Sequence, residues 1–166
     1  MSYELYLGDC LEVMRGMADN SVDLIATDPP YYRVKKNEYW DNQWDTTAGF
    51  LAWLDLVLEQ FYRIMRPNGS LYLFASPKMA ARVEVLVGER FNVLNNIRWQ
   101  KESGWHNRNK KDELRGFLSP WESIIFAEHY GADGYAKGEA VYELSCQNLL
   151  QRVFQIKRLC EIYNRS

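Results

Sequence analysis

Three cysteines are all that 166 residues contain, and Cys10, Cys146 and Cys160 stand in no metal-ligand spacing. An odd number so spaced excludes a disulfide framework and offers no zinc site, so reduced, partly buried thiols and no bound metal are expected. Long hydrophobic runs are missing as well. No apolar stretch approaches the roughly 20 residues that span a bilayer, and the opening Met1-Ser2-Tyr3-Glu4-Leu5 has neither the basic nor the apolar region of a signal peptide. A cytoplasmic protein without a membrane partner is the expectation. Charge of one sign is lacking too: the net charge is −2. That argues against a protein held on nucleic acid by bulk charge, while leaving local basic patches open.

What is present is an ordinary globular composition, with 47% apolar, 14% aromatic and 25% charged residues, enough for one domain. Tyr3-Glu4-Leu5-Tyr6-Leu7 alternates like a half-buried strand, and Gly8-Asp9-Cys10 turns it into a short helix from Leu11 to Met17. The β-branched run Val22 to Thr27 predicts a second strand, stopped by Asp28-Pro29-Pro30 because proline cannot continue a ladder. Residues 31 to 47 show no period and read as a long loop. From Thr47 to Met65, Phe50, Leu54, Val57, Leu58, Phe61 and Ile64 form one apolar helical face, ended by Pro67-Asn68-Gly69. Ser70 to Ala75 is a buried strand and Lys78 to Glu89 a helix. Strands at Phe91 to Trp99 and Ser123 to Ala127 follow, separated by a polar loop from Lys101 to Pro120. This alternation predicts an α/β sheet, mostly parallel with helices on both faces, and ligands beyond the carboxyl ends of its strands, where Asp9 and Asp28 are both expected. Gly131 to Gly138 is a glycine-rich loop. From Glu139 to Tyr163 a helix is predicted, in which Cys146, Leu149, Val153, Ile156, Cys160 and Tyr163 form an apolar seam.

Asp28-Pro29-Pro30-Tyr31 is the sharpest signal, since each residue type answers a separate problem in methylating the exocyclic amine of a base. The amine's lone pair is delocalised into the ring, and hydrogen bonds must draw it out before nitrogen can attack. Two acceptors are needed, and the Asp28 carboxylate with the Pro29 carbonyl supplies them. The proline rings fix φ near −65°, and Pro30 pushes Pro29 towards an extended conformation, so the carbonyl's direction is set in advance. Tyr31 adds a flat face. Stacking on an extruded base is worth roughly 1–3 kcal/mol, which offsets part of the cost of flipping. The competing reading is a strand that merely ends in Asp and a Pro-Pro turn. At average residue usage such a tetrapeptide arises by chance about once in a thousand chains of this size.

The segment Leu7-Gly8-Asp9-Cys10-Leu11-Glu12-Val13-Met14, followed by Asp19 to Tyr31, resembles the opening of the β-group DNA amino-methyltransferases, bacterial and phage enzymes that use S-adenosylmethionine. Arg63 to Leu73 is similar to that family's next helix, turn and strand, Phe91 to Trp99 to the strand after it, and Trp121-Glu122-Ser123-Ile124-Ile125-Phe126 to the last motif of its catalytic half. The resemblance implies a Rossmann-like methyltransferase sheet and double-stranded DNA as substrate. Aspartate at the head of the tetrapeptide is similar to the adenine-N6 members, cytosine-N4 members usually having serine there. By that resemblance Asp28, Pro29, Pro30 and Tyr31 form the catalytic tetrapeptide and hold the target adenine, while Asp9, Cys10 and Asp28 lie at the cofactor.

Motif order separates this family from relatives with similar chemistry. Methyltransferases of ribosomal RNA guanine and of protein glutamine use a similar tetrapeptide but place their glycine loop upstream, and only 27 residues precede Asp28. The β group is permuted, with the catalytic half first. After Phe126, 40 residues remain, and no Gly-x-Gly occurs among them. Residues 1–130 are therefore expected to be the catalytic half, 131–138 a glycine-rich loop and 139–166 an amphipathic helix, an incomplete sheet with S-adenosylmethionine affinity weakened by the missing loop. Two alternatives to an autonomous enzyme follow: an inactive remnant acting in DNA binding or protein interaction, and a subunit that works as a homodimer or with a completing second chain.

Two segments mix cations with flat rings, a combination suited to flipped or single-stranded nucleic acid. The first holds Arg33, Lys35, Lys36, Trp40 and Trp44, balanced by Glu38, Asp41 and Asp45; its plain reading is that the tryptophans anchor the loop and the cations are solvated. The second, Arg98 to Arg115, includes Arg98, Lys101, Arg108, Lys110 and Lys111 and carries a net charge of +3. Contacts from it to phosphate would be salt-sensitive and would not read sequence.

Overall fold

The computed structural model describes residues 4–35, 37–101 and 119–129. Its elements run α1 (Cys10–Arg15), β1 (Val22–Thr27), a 3-10 turn (Tyr39–Asp41), α2 (Thr47–Ile64), β2 (Met65–Ala75), α3 (Ala80–Gly88), β3 (Phe91–Gln100) and β4 (Trp121–His129).

The longest helix shows why this order of residues folds as it does. Thr46 caps α2, its hydroxyl accepting from the Gly49 amide at 3.0 Å, which satisfies an orphan donor of the first turn. The six apolar residues that predicted the helix are all buried. Met65 then turns extended and the chain passes directly into β2. Within that passage Gly69 is buried, and a Cβ there would meet the Met65 side chain and stand 2.9 Å from the Arg66 carbonyl oxygen. Only glycine lets the Arg66-Pro67-Asn68 excursion close so tightly.

The strand order is β1-β2-β4-β3. β1 and β2 pair in parallel, with Ile25 opposite Leu71 and Thr27 opposite Leu73, as the α2 crossover requires. β4 runs antiparallel to both of its neighbours, β2 and β3. Three strands thus point one way and β4 alone the other, so the sheet is mixed, and two of its three pairings are antiparallel. Where β3 ends and β4 begins, the Lys101 amide donates to the Pro120 carbonyl at 2.8 Å.

The helices α1, α2 and α3 all pack on one face, around Ile25, Leu71, Leu73, Ile125 and Ala127. The opposite face gathers Ala26, Tyr72, Phe74, Ile124 and Phe126, with Leu24, Tyr31 and Trp99 packed against them. The expectation of helices on that second face falls outside the described residues, as do the glycine-rich loop 131–138 and the seam-bearing segment 139–166. One expected strand is corrected. Residues 4–7 are not in a strand, and Leu5 and Leu7 are 63% and 85% exposed. Alternation specifies a strand only where a neighbour receives its amides and carbonyls, and no described strand pairs with these residues. Asp9 consequently does not stand at a strand's carboxyl end.

Candidate active site

Because β1, β2 and β3 point the same way and β4 runs back, the carboxyl ends of three strands and the start of the fourth share one edge. Asp28 follows β1 there, Ser76 follows β2, Trp99 and Lys101 come from the end of β3, and Glu122 sits at the start of β4. The tetrapeptide from Asp28 to Tyr31 is half-buried throughout. Its turn brings Tyr31 back over the sheet, where the ring packs on the aromatic face. The Ser76 hydroxyl, itself buried, lies 3.5 Å from the Tyr31 carbonyl oxygen.

The Tyr31 hydroxyl is sealed from solvent and faces two carboxylates, Asp28 and Glu122. Burial above all, then the charge and hydrogen bonding of Asp28, then those of Glu122, push this phenol far above the ordinary tyrosine range. It stays protonated at every physiological pH. Glu122 is 9% exposed and accepts from the Lys101 ammonium, which also lies 5.1 Å from the centre of the Trp99 ring. Trp99 in turn meets Phe74 edge to face at 5.9 Å. The edge therefore combines negative oxygens with flat rings, a donor set that suits an amine, a purine and a cationic sulfonium alike.

Directly after Tyr31 the backbone is forced. Tyr32 and Arg33 have φ of 57° and 61°, two successive non-glycine residues in the left-handed region, each costing of order 1–3 kcal/mol unless its surroundings hold it. Asp41 does the holding. Fully buried at 0% exposure, it accepts from the Val34 and Lys35 amides, both at 2.6 Å, while its carbonyl accepts from the Arg33 amide at 2.8 Å. Asn42 adds bonds to the Lys35 and Glu38 carbonyls at 2.7 and 2.6 Å. The long aperiodic loop is thus an ordered cradle.

Several residues predicted to face nucleic acid are engaged within the fold. Trp44 packs edge-on against Phe50 at 5.2 Å and against Trp53 at 4.7 Å, which is the anchoring alternative for this ring. Arg33 donates to the Asp45 carbonyl at 2.6 Å and lies over Tyr32. Trp40 is half-buried and Lys35 exposed. Arg98 is exposed with its guanidinium 4.9 Å from the Trp121 ring centre, and Lys101 turns inward to Glu122. Lys36, Arg108, Lys110 and Lys111 lie outside the described residues. Asp9, expected at the cofactor, caps α1 instead: Oδ1 accepts from the Leu11 amide at 2.9 Å and the Glu12 amide at 3.2 Å. Cys10 is exposed at the start of the same helix. Glu122, Ser76, Trp99 and Asp41 were not among the predicted site residues. One signal did point to Glu122, a lone acid in the otherwise apolar strand Trp121-Glu122-Ser123-Ile124-Ile125-Phe126, where a charge demands a partner.

Comparison with known proteins agrees with this geometry. The type II methyltransferase M.BamHI of Bacillus amyloliquefaciens is 28% identical over 146 residues, 88% of this chain and 31% of that protein. The DNA adenine methyltransferase YhdJ of Escherichia coli K12 is 28% identical over 96 residues, 58% of this chain and 32% of its own length. The structure superposes on TTHA0409 of Thermus thermophilus, described as a DNA modification methylase, with a TM-score of 0.60 at 26% identity, over 84% of this chain and 57% of that one. The chain thus spans about a third of these two curated relatives. A family model for DNA methylases matches residues 22–155, from the first residue of β1 through the tetrapeptide and every later described element. With most of the sequence inside that match, the chain belongs to the N6/N4 DNA methylase family.

Proposed function

We propose that this chain carries the base-binding site of a DNA methyltransferase acting on the N6 amine of a flipped adenine, the group that accepts the methyl. The observation that carries the reading is the placement of Asp28-Pro29-Pro30-Tyr31 at the carboxyl edge of the sheet, beside an aromatic face and a second carboxylate. In this reading the Asp28 carboxylate and the Pro29 carbonyl each accept one N–H of the amine and draw its lone pair out of conjugation. Pro30 holds that carbonyl in place, and Tyr31 offers a face on which the base stacks. The proton shed when the nitrogen is alkylated needs only a weak acceptor, since alkylation makes it acidic, and Asp28 is placed to receive it. Adenine is preferred over cytosine because the tetrapeptide begins with aspartate.

S-adenosylmethionine, when bound, supplies the electrophilic methyl group. The carboxylates and rings of the edge fit its cationic sulfonium and flat purine, and Asp28 is the described residue that would face it. Asp9 and Cys10 would take part only if α1 presents them towards this edge. Arg33, Lys35, Lys36, Trp40, Arg98, Arg108, Lys110 and Lys111 remain the residues that would meet double-stranded DNA, Lys35 and Arg98 best supported by their exposure. A bacterial enzyme with that substrate works in the cytoplasm; no helix among the described residues is long and apolar enough to cross a membrane. A second copy or a completing chain is the protein partner this reading allows, supported by exposed Leu5, Tyr6 and Leu7 and tested by light scattering.

The deciding experiment is transfer of labelled methyl from S-adenosylmethionine to duplex DNA, followed by nucleoside analysis. N6-methyladenine from the wild type, and a loss of about 10²-fold or more with Asp28→Ala at an unchanged melting temperature, is the expected result. Label in cytosine, or an Asp28→Ala variant as active as the wild type, would overturn it.

A further inference from the structure

We propose that Arg98, laid over the Trp121 ring at the outer edge of the sheet, holds a backbone phosphate of duplex DNA, with Trp121 as the positioning residue that fixes its guanidinium in advance. The proposal rests on the DNA-methylating reading of the chain and adds to it a phosphate site away from the tetrapeptide. The Arg98 guanidinium carbon lies 4.9 Å from the centre of the Trp121 ring, close enough for the ring to attract the cation. Strand register brings the two together. Arg98 stands opposite Ser123 and Gln100 opposite Trp121, so Trp121 is the diagonal neighbour on the same face, within reach of a long side chain.

What sets Arg98 apart is an uncommitted charge. A second cation–ring pair, Lys101 over Trp99, occupies the same end of β3, but there Glu122 takes the ammonium. Arg63, Arg66 and Arg90 pair with Asp19, Asp23 and Asp55, and Arg33 donates to the Asp45 carbonyl. No described carboxylate pairs with Arg98, which is exposed. Stacking engages the flat face of a guanidinium and leaves the N–H fork at its edge for a phosphate. A side chain already held by a ring also has less rotamer freedom to lose on binding.

Placement favours a contact beside the site. Arg98 lies two residues from the carboxyl end of β3, near the rim that carries Asp28. In the order β1-β2-β4-β3 the outer strands are three spacings apart, about 14 Å, which corresponds to about four nucleotides along one DNA strand. A contact at that distance positions the duplex and reads no base.

The test uses the full chain and a fluorescent duplex, with binding followed by anisotropy as sodium chloride is raised. Arg98→Ala should weaken binding about tenfold at low salt and reduce the steepness of log affinity against log salt by about 0.9, the share of one phosphate. The loss should be the same on a duplex made only of G·C pairs. Trp121→Leu should weaken binding about two- to tenfold, the cost of ordering a freed side chain, and Trp121→Phe, which keeps a ring face, should stay close to the wild type. Once Arg98→Ala is in place, Trp121→Leu should have no further effect, because no guanidinium remains to be held. An unchanged salt dependence in Arg98→Ala would overturn the proposal. So would an equal loss from Trp121→Leu with and without Arg98, since a tryptophan that only supports the fold costs affinity in both backgrounds.

The second measurement is independent of catalysis. The Arg98 Nε–H signal, assigned through Arg98→Ala, should move in Trp121→Leu and should move again when duplex is added to the wild type. An equal shift from inorganic phosphate at the same phosphate concentration would mark a site for free anions and overturn the DNA contact. Methyl transfer separates the two readings. Adenine methylation with an unchanged Arg98→Ala salt dependence overturns this proposal and leaves the function standing; a reduced salt dependence without adenine methylation does the reverse.

Discussion

The two faces of the sheet are made from the same strands and do different things. Along β2, Leu71, Leu73 and Ala75 point to the helices, and Tyr72 and Phe74 point to the other side, as the two-residue period of a strand dictates. On the first face the strand residues are aliphatic apart from Phe91, and α1, α2 and α3 close it. The second is aromatic: Tyr72 stacks on Phe126, its cross-strand partner, at 4.6 Å and 10°, and Phe74 meets Trp99. Only this face has the tetrapeptide's tyrosine packed on it and two carboxylates at its rim. The lesson is that stability and chemistry are divided by strand alternation, one residue apart.

The largest test of that division is Leu58→Ala, in the middle of the helical face at 0% exposure. Deleting its side chain should cost about 2–5 kcal/mol in chemical denaturation, while the folded fraction binds an adenine oligonucleotide as the wild type does. A loss of affinity per folded molecule would break the contrast, because it would mean that core packing reaches the site. Asp41→Ala should reverse the pattern. Two backbone amides lose their acceptor and the left-handed pair Tyr32 and Arg33 loses its brace, for about 1–3 kcal/mol of stability. The same change should weaken oligonucleotide binding, since the chain leaving Tyr31 is then no longer held. If denaturation shows the loss and binding does not, the cradle serves the fold alone, and the boundary between the faces lies closer to Tyr31 than drawn.

How much of this was legible beforehand depends on whether a residue's neighbours are local. α2 could be read because its six apolar residues repeat at a helical period and the helix buries all of them. β1, the core of β2, and β4 could be read because their apolar runs are short and end at Pro or Gly. Asp28 to Tyr31 could be read because the chemistry sits within four consecutive residues. Residues 4–7 misled because alternation says what a strand would look like and not whether a neighbour exists to pair with it. Trp44 misled for a related reason: residue type supplies a ring, and the fold decides its direction. Trp44 turned to Phe50 and Trp53. Lys101 and Glu122, twenty-one positions apart, meet only because β3 and β4 pair, with Trp99 opposite Glu122, and nothing local announces that.

The smallest effect tests the helical face at its rim, where α2 meets the turn before β3. Arg90 makes a two-pronged pair with Asp55, Nε to Oδ1 at 2.8 Å and Nη2 to Oδ2 at 2.9 Å. Hydrogen bonding to Arg90 is the main cause that holds the Asp55 carboxyl below its ordinary pKa, with burial opposing it. Both side chains are about a third exposed, 32% and 36%, so solvent and salt screen the pair and Arg90→Ala should cost only about 0.2–1 kcal/mol at neutral pH. The sign of its pH dependence follows from the lowered pKa. The stabilisation is fully present above the unfolded carboxyl value of about 4 and disappears as pH falls through the lower folded value, where Asp55 is protonated in both states. Denaturation curves of wild type and Arg90→Ala should therefore differ at pH 7 and converge below the ordinary carboxylate range, with the gap at pH 7 narrowing in high salt. A gap that survives acid and salt would mean that the stem of Arg90 contributes by packing on the body of the domain. The helical face would then extend by packing to its rim at Asp55, with no electrostatic border of its own there.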